Sequence, residues 1–77
     1  MKHVKVYTKN GCGYCTMAKT WLNNKNIQFE EVNIESVPEA RDFVINEGHR
    51  TMPQIYIEGK SIGGYTELAK LDESAFN

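Results

Sequence analysis

The sequence predicts an α/β fold, a four-stranded mixed sheet flanked by three helices in the order β-α-β-α-β-β-α. Three observations point to it. Hydrophobic spacing switches repeatedly between the two-residue period of strands and the 3.6-residue period of helices. The first half reads as a parallel βαβ unit, and the second as a hairpin followed by a helix. At 77 residues the chain has room for one small domain spanning 1–77, which buries roughly 60% of its surface on folding.

Each element follows from local signals. Val4, Val6 and Tyr7 form a β-prone run stopped by Lys9-Asn10-Gly11. From Gly13 to Lys25 the pattern is helical, with Met17 and Trp21, and Ala18 and Leu22, four apart, while Lys19, Asn23 and Asn24 face away. Residues 27–34 are β-prone. Ser36-Val37-Pro38-Glu39 matches a capping box with Pro38 in the first turn. The helix it opens carries Ala40, Phe43 and Val44 on one face and stops at Gly48. Ile55-Tyr56-Ile57 is a strand, Glu58-Gly59 a tight turn and Ser61-Ile62 the return strand, broken by Gly63-Gly64. A short last helix turns Leu68 and Leu71 inward. Trp21, Met17 and Phe43 are expected in the core.

Composition excludes several functions. Hydrophobic residues make up 40% and charged residues 25%, which argues against disorder. A net charge of −1 gives no electrostatic case for nucleic acid. No apolar run approaches the ~20 residues of a membrane span. The first residues, Met1-Lys2-His3-Val4-Lys5, lack a signal-peptide pattern, so a reducing cytoplasm is expected.

Cys12 and Cys15 are the two cysteines. A bridge across two residues closes too small a loop to staple a fold, so the pair reads as chemistry. A zinc site needs four ligands, and only His3 and His49 remain, at unsuitable spacings, so no metal is expected. Cys12 falls at the helix N-cap, where the N–H groups of Tyr14 and Cys15 and the positive end of the helix favour a thiolate. Lys9 on the preceding loop is either a further cation for the site or a solvated loop lysine. The Cys12 pKa is expected in the range of roughly 3.5–7.5, with the more buried Cys15 protonated. A pKa near ~5 raises the thiolate fraction at neutral pH about thirty-fold, but a Brønsted slope near ~0.45 removes a similar factor of nucleophilicity. The gain is therefore in Cys12 as a leaving group, as suits an exchanger that must release its partner.

Three blocks, Val6-Tyr7-Thr8-Lys9 through Cys12-Gly13-Tyr14-Cys15, Gly48-His49-Arg50-Thr51-Met52-Pro53-Gln54 and Gly63-Gly64-Tyr65-Thr66-Glu67-Leu68, resemble the glutaredoxin family in order and spacing. The size is similar to that of small bacterial and phage members. The resemblance implies a thioredoxin fold and a glutathione-dependent thiol–disulfide oxidoreductase. Cys12 and Cys15 would be catalytic. Glutathione would be the co-substrate, no cofactor would be tightly bound, and disulfide-containing proteins, ribonucleotide reductase among them, would be clients of a monomer in the cytoplasm, or the host cytoplasm for a phage protein. Pro53 would be cis, with Thr51 and Met52 before it binding glutathione as an added strand. Lys9 and Tyr14 would line the groove. Gly64, Tyr65 and Thr66 would seat the γ-glutamyl end on backbone N–H groups.

Two departures open alternatives. Gly13 stands where many members have Pro, and some relatives with Gly there are similar to carriers of a [2Fe–2S] cluster. Thr66 stands where Asp is common, which allows a glutaredoxin-like redoxin reduced by thioredoxin reductase. Glu39 and Arg41 lie near the family's polar contact on the second helix, and neither is assigned a role.

Overall fold

The computed structural model describes all residues, Met1–Asn77. Strands β1 (Val4–Thr8), β2 (Glu30–Asn33), β3 (Gln54–Ile57) and β4 (Lys60–Gly63) alternate with helices α1 (Gly13–Asn24), α2 (Pro38–Asn46) and α3 (Tyr65–Ala69). The sheet order is β2-β1-β3-β4, with β1 and β2 parallel and β1, β3 and β4 successively antiparallel. This is the mixed sheet and thioredoxin fold expected. The Glu58-Gly59 turn has φ of 51° and 79°, the paired left-handed geometry that suits a two-residue hairpin.

Strand alternation divides the core. Val4, Val6, Ile55 and Ile57 point to one side, where α1 and α3 deliver Ala18, Leu22 and Leu68. Tyr7 and Tyr56 point to the other, where α2 brings Ala40 and Val44. All β3 side chains are buried, which fixes β3 and β1 at the middle of the sheet.

Several expectations are corrected. The capping box does not form: Val37 is the N-cap, with no side-chain bond, and Pro38 sits at the first helical position. A residue before proline is driven to extended backbone, so Val37 (φ −123°, ψ 97°) must stand outside the helix. That shifts Glu39 out of register with Ser36. Met17 and Phe43 are not core: they are 45% and 39% exposed. The buried stripe of α1 is Cys15, Ala18 and Leu22 instead, and Trp21 is half-buried against Phe76, with ring centroids 6.1 Å apart. Phe43 stacks on Tyr7 at 5.5 Å with its outer face open. β2 is shorter than residues 27–34, because Asn26 takes a left-handed conformation (φ 58°) that turns Ile27 into the core before the strand begins. The final helix is short, and a 3-10 turn, Glu73–Phe76, follows it and buries Phe76 at 2% exposure.

Candidate active site

β1 ends at Thr8 and α1 begins at Gly13, so the loop between them carries Lys9 and Cys12 to the C-terminal end of β1, beside the start of the antiparallel β3. Cys12 has extended backbone (φ −105°, ψ 106°) and caps α1 with its own sulfur, which accepts the Cys15 N–H at 3.1 Å. The Tyr14 N–H, also expected there, makes no such bond. Cys15 is the third helical residue, the position an N-cap side chain reaches well. The two cysteines are joined as a disulfide with Cα atoms 5.2 Å apart. On reduction the same amide and the helix dipole remain aimed at Cys12 Sγ, where they favour negative charge.

Met52 faces this sulfur. Its carbonyl oxygen lies 3.5 Å from Cys12 Sγ. The Met52 N–H has no partner in the protein, and the Met52–Pro53 peptide is cis. The loop is held from behind, where the buried Gln54 amide donates to the Thr51 carbonyl at 2.8 Å. A Cβ on Gly64 would meet the Pro53 carbonyl oxygen at 3.3 Å, so the start of α3 packs tightly on the proline loop and favours glycine there. Tyr14 is 61% exposed and leans toward Tyr65, with ring centroids 6.1 Å apart. Lys9, Arg41, Arg50 and Met52 line one groove beside the pair, and Lys9, Cys12, Cys15, Lys19 and Glu31 line a polar cleft on the other side.

The structure thus gathers Cys12, Cys15, Lys9, Met52, Pro53, Gly64, Tyr14 and Tyr65 around one surface, with Thr51 behind it and Thr66 exposed on α3. The Gly64 N–H is not a free anion seat. It donates to Glu67 Oε1 at 2.7 Å, and this bond holds the Glu67 carboxyl below the usual carboxylate range. Gly64 has no side chain to return the bond, so only half of a capping box forms. The Gly64–Glu67 spacing carried that signal in the sequence. The cluster of Thr8, Lys19 and Glu31 carried none, because it depends on strand pairing across distant residues.

A paired-cysteine surface at a helix front is chemistry that known proteins share. Residues 4–62 match the glutaredoxin family. Glutaredoxin 3 of Escherichia coli strain K12 is 40% identical over 73 residues, covering 94% of this chain and 88% of its own. The glutaredoxin-like protein NrdH of Lactococcus lactis subsp. lactis is 43% identical over 70 residues, covering 88% of this chain and 97% of its own. Among solved structures, glutaredoxin 1 of Francisella tularensis, complexed with cacodylate, superposes with a TM-score of 0.75 at 39% identity over 90% of each chain. The NrdH-redoxin of E. coli, described as having a thioredoxin-like activity profile, gives 0.78 at 26% identity over 91% of this chain and 96% of its own. Likeness over so much of the chain, together with the Cys12–Cys15 pair at the front of α1, leaves one conclusion: the chain belongs to the glutaredoxin family and is a thiol–disulfide oxidoreductase of the glutaredoxin/NrdH type.

Proposed function

We propose that this glutaredoxin takes electrons from glutathione and delivers them to protein disulfides and glutathione mixed disulfides, acting as a cytoplasmic monomer. Ribonucleotide reductase, a client implied by the family resemblance, is one proposed acceptor. The observation that carries the reading is the unpaired N–H of Met52, the residue whose carbonyl oxygen lies 3.5 Å from Cys12 Sγ. An extended cysteine-containing peptide laid along Thr51 and Met52 would pair with that amide and present its sulfur to Cys12. Lys9 and Tyr14 border the same surface, and Tyr65 and Thr66 open α3 beside it.

The exchange balances as two thiol–disulfide displacements. Cys12 thiolate attacks the glutathione sulfur of a mixed disulfide, and the client leaves as a thiolate that takes up a proton. A second glutathione thiolate then attacks the glutathione sulfur held on Cys12. Glutathione disulfide departs, and Cys12 leaves as the thiolate that the helix front favours. With a protein disulfide, Cys15 resolves the intermediate instead.

A second reading has its own observation. Glu67 already occupies the Gly64 amide, and Thr66 offers no charge to a glutathione ammonium. Both weaken the γ-glutamyl seat and favour a redoxin reduced by thioredoxin reductase. Turnover of a glutathionylated peptide with glutathione and glutathione reductase, set against turnover with thioredoxin reductase, tests the two. Glutathione is expected to support the faster rate, and the reverse order transfers the assignment to the second reading. Cys12→Ser is expected to abolish all exchange. Cys15→Ser is expected to keep deglutathionylation and lose protein-disulfide reduction, and equal loss in both variants would count against the roles given to them.

A further inference from the structure

The resolving step has a proton to dispose of. In a mixed disulfide between Cys12 and a client, Cys15 must attack Cys12 Sγ as a thiolate. The Cys15–Cys12 bond forms and the Cys12–client bond breaks. The client leaves as a thiolate that is protonated by water, and the Cys15 proton passes to water. Cys15 is 2% exposed, and burial of this kind opposes ionisation. The polar cleft beside it is lined by Thr8, Lys19 and Glu31.

Lys19 follows Cys15 by four residues on α1, so the two share a helix face. Its ammonium contacts Glu31 Oε2 at 3.1 Å, and the same oxygen accepts the Thr8 hydroxyl at 2.9 Å. Thr8 is 1% exposed at the end of β1 and fixes that oxygen in place. We propose that the Lys19–Glu31 pair, anchored by Thr8, positions two balanced charges beside Cys15 and thereby sets the pH at which the resolving thiol ionises. Neither residue touches a reacting sulfur, so both are positioning residues. Alone, the ammonium would favour the Cys15 thiolate and the carboxylate would oppose it. Lys19 also holds the Glu31 carboxyl below the usual carboxylate range, so the pair stays ionised through neutral pH. Of the other charged or titratable groups around Cys15, Lys9 and Cys12 line the cleft from the preceding loop, and Glu67 of α3 is turned onto the Gly64 amide. Of the α2 charges, Arg41 lines a separate groove with Lys9 and Met52, and the helix itself packs on the face of the sheet opposite α1.

The test is the pH dependence of Cys15 alkylation by iodoacetamide in the reduced full chain carrying Cys12→Ser. Glu31→Gln is expected to lower the midpoint and Lys19→Met to raise it, each by about half a pH unit, with the double variant returning to within about 0.2 unit of the parent. A purely structural role would loosen the cleft in both single variants and move both midpoints the same way. Movement in one direction, no movement, or a double variant that fails to return overturns the proposal. The titration uses no electron donor, so its failure is separate from any failure of the glutathione reading.

Discussion

On one side of the sheet, α1, α3 and the closing turn press Ala18, Leu22, Leu68 and Phe76 against Val4, Val6, Ile55 and Ile57. On the other, α2 alone brings Ala40 and Val44 to Tyr7 and Tyr56. The first side is mostly aliphatic, with Phe76 its one fully buried ring, and closed. The second is aromatic and half-open, with a cavity of about 630 Å³ bordered by Tyr7, Phe43 and Tyr56. It substitutes polar bonds for apolar density. Tyr56 gives its proton to Glu47 at 3.0 Å and its oxygen meets His49 Nε2 at 2.9 Å. Burial, with Glu47 beside it, pushes the Tyr56 hydroxyl up to about 12. The dense side is the one that carries α1, and α1 carries the cysteines. Packing is thus spent where the sulfurs need a fixed platform.

The same residue type occurs on both sides, which allows a direct test. Phe76→Ala should cost about 3–5 kcal/mol, because its buried ring would leave a cavity between Trp21 and the aliphatic core. Phe43→Ala should cost about 1 kcal/mol, chiefly its stacking on Tyr7. Urea unfolding of both variants checks this, and equal costs would break the contrast between the faces. Tyr56→Phe isolates the polar part of the open side. It is expected to lower stability by about 1 kcal/mol in the same measurement, since Glu47 retains access to water.

Gly13→Pro sharpens the comparison from the dense side. Gly13 is the first residue of α1, and a Cβ there would meet nothing within 4 Å. Proline suits that position, so a gain of about 0.4–1 kcal/mol is expected from the unfolded chain alone. It should appear as a higher thermal midpoint with an unchanged circular dichroism spectrum. The smallest effect is that of pH on the pair outside the dense core. Glu31 has its folded pKa lowered from 4.5. Its contribution is therefore present above that value and lost as pH falls through the lowered folded one. The side chain is 37% exposed, which keeps this below about 1 kcal/mol. Thermal melts below pH 5 should show a shallower acid decline in Glu31→Gln than in the parent.

Much of this was legible in the chain. Period and turn chemistry located every strand and helix, because Val4, Val6 and Tyr7, the Glu58-Gly59 turn and the Ala18–Leu22 spacing act locally. The position of Cys12 at the front of α1 was legible for the same reason. Failures arose where the outcome depends on distant chain. Met17 and Phe43 are apolar at helical spacing, but nothing local says that no element covers them. Phe76 lies in a short polar tail whose only signal is its own ring, and it becomes core because α1 leaves Trp21 beside it. Ser36 and Glu39 had the right spacing for a box, and Pro38 overrode it by fixing the backbone of Val37. Glu67 stands at the right spacing to cap Gly64, but spacing alone does not say whether that amide is open to a ligand or satisfied from within.

The cap on α1 is the reactive sulfur itself, and this joins reactivity to mechanical support in a single atom. A sulfur bonded to a proton, to a client or to Cys15 keeps lone pairs for the Cys15 amide. Every species through which electrons pass can therefore keep its leading turn closed, so the protein changes partners without having to rebuild the scaffold that makes the change possible.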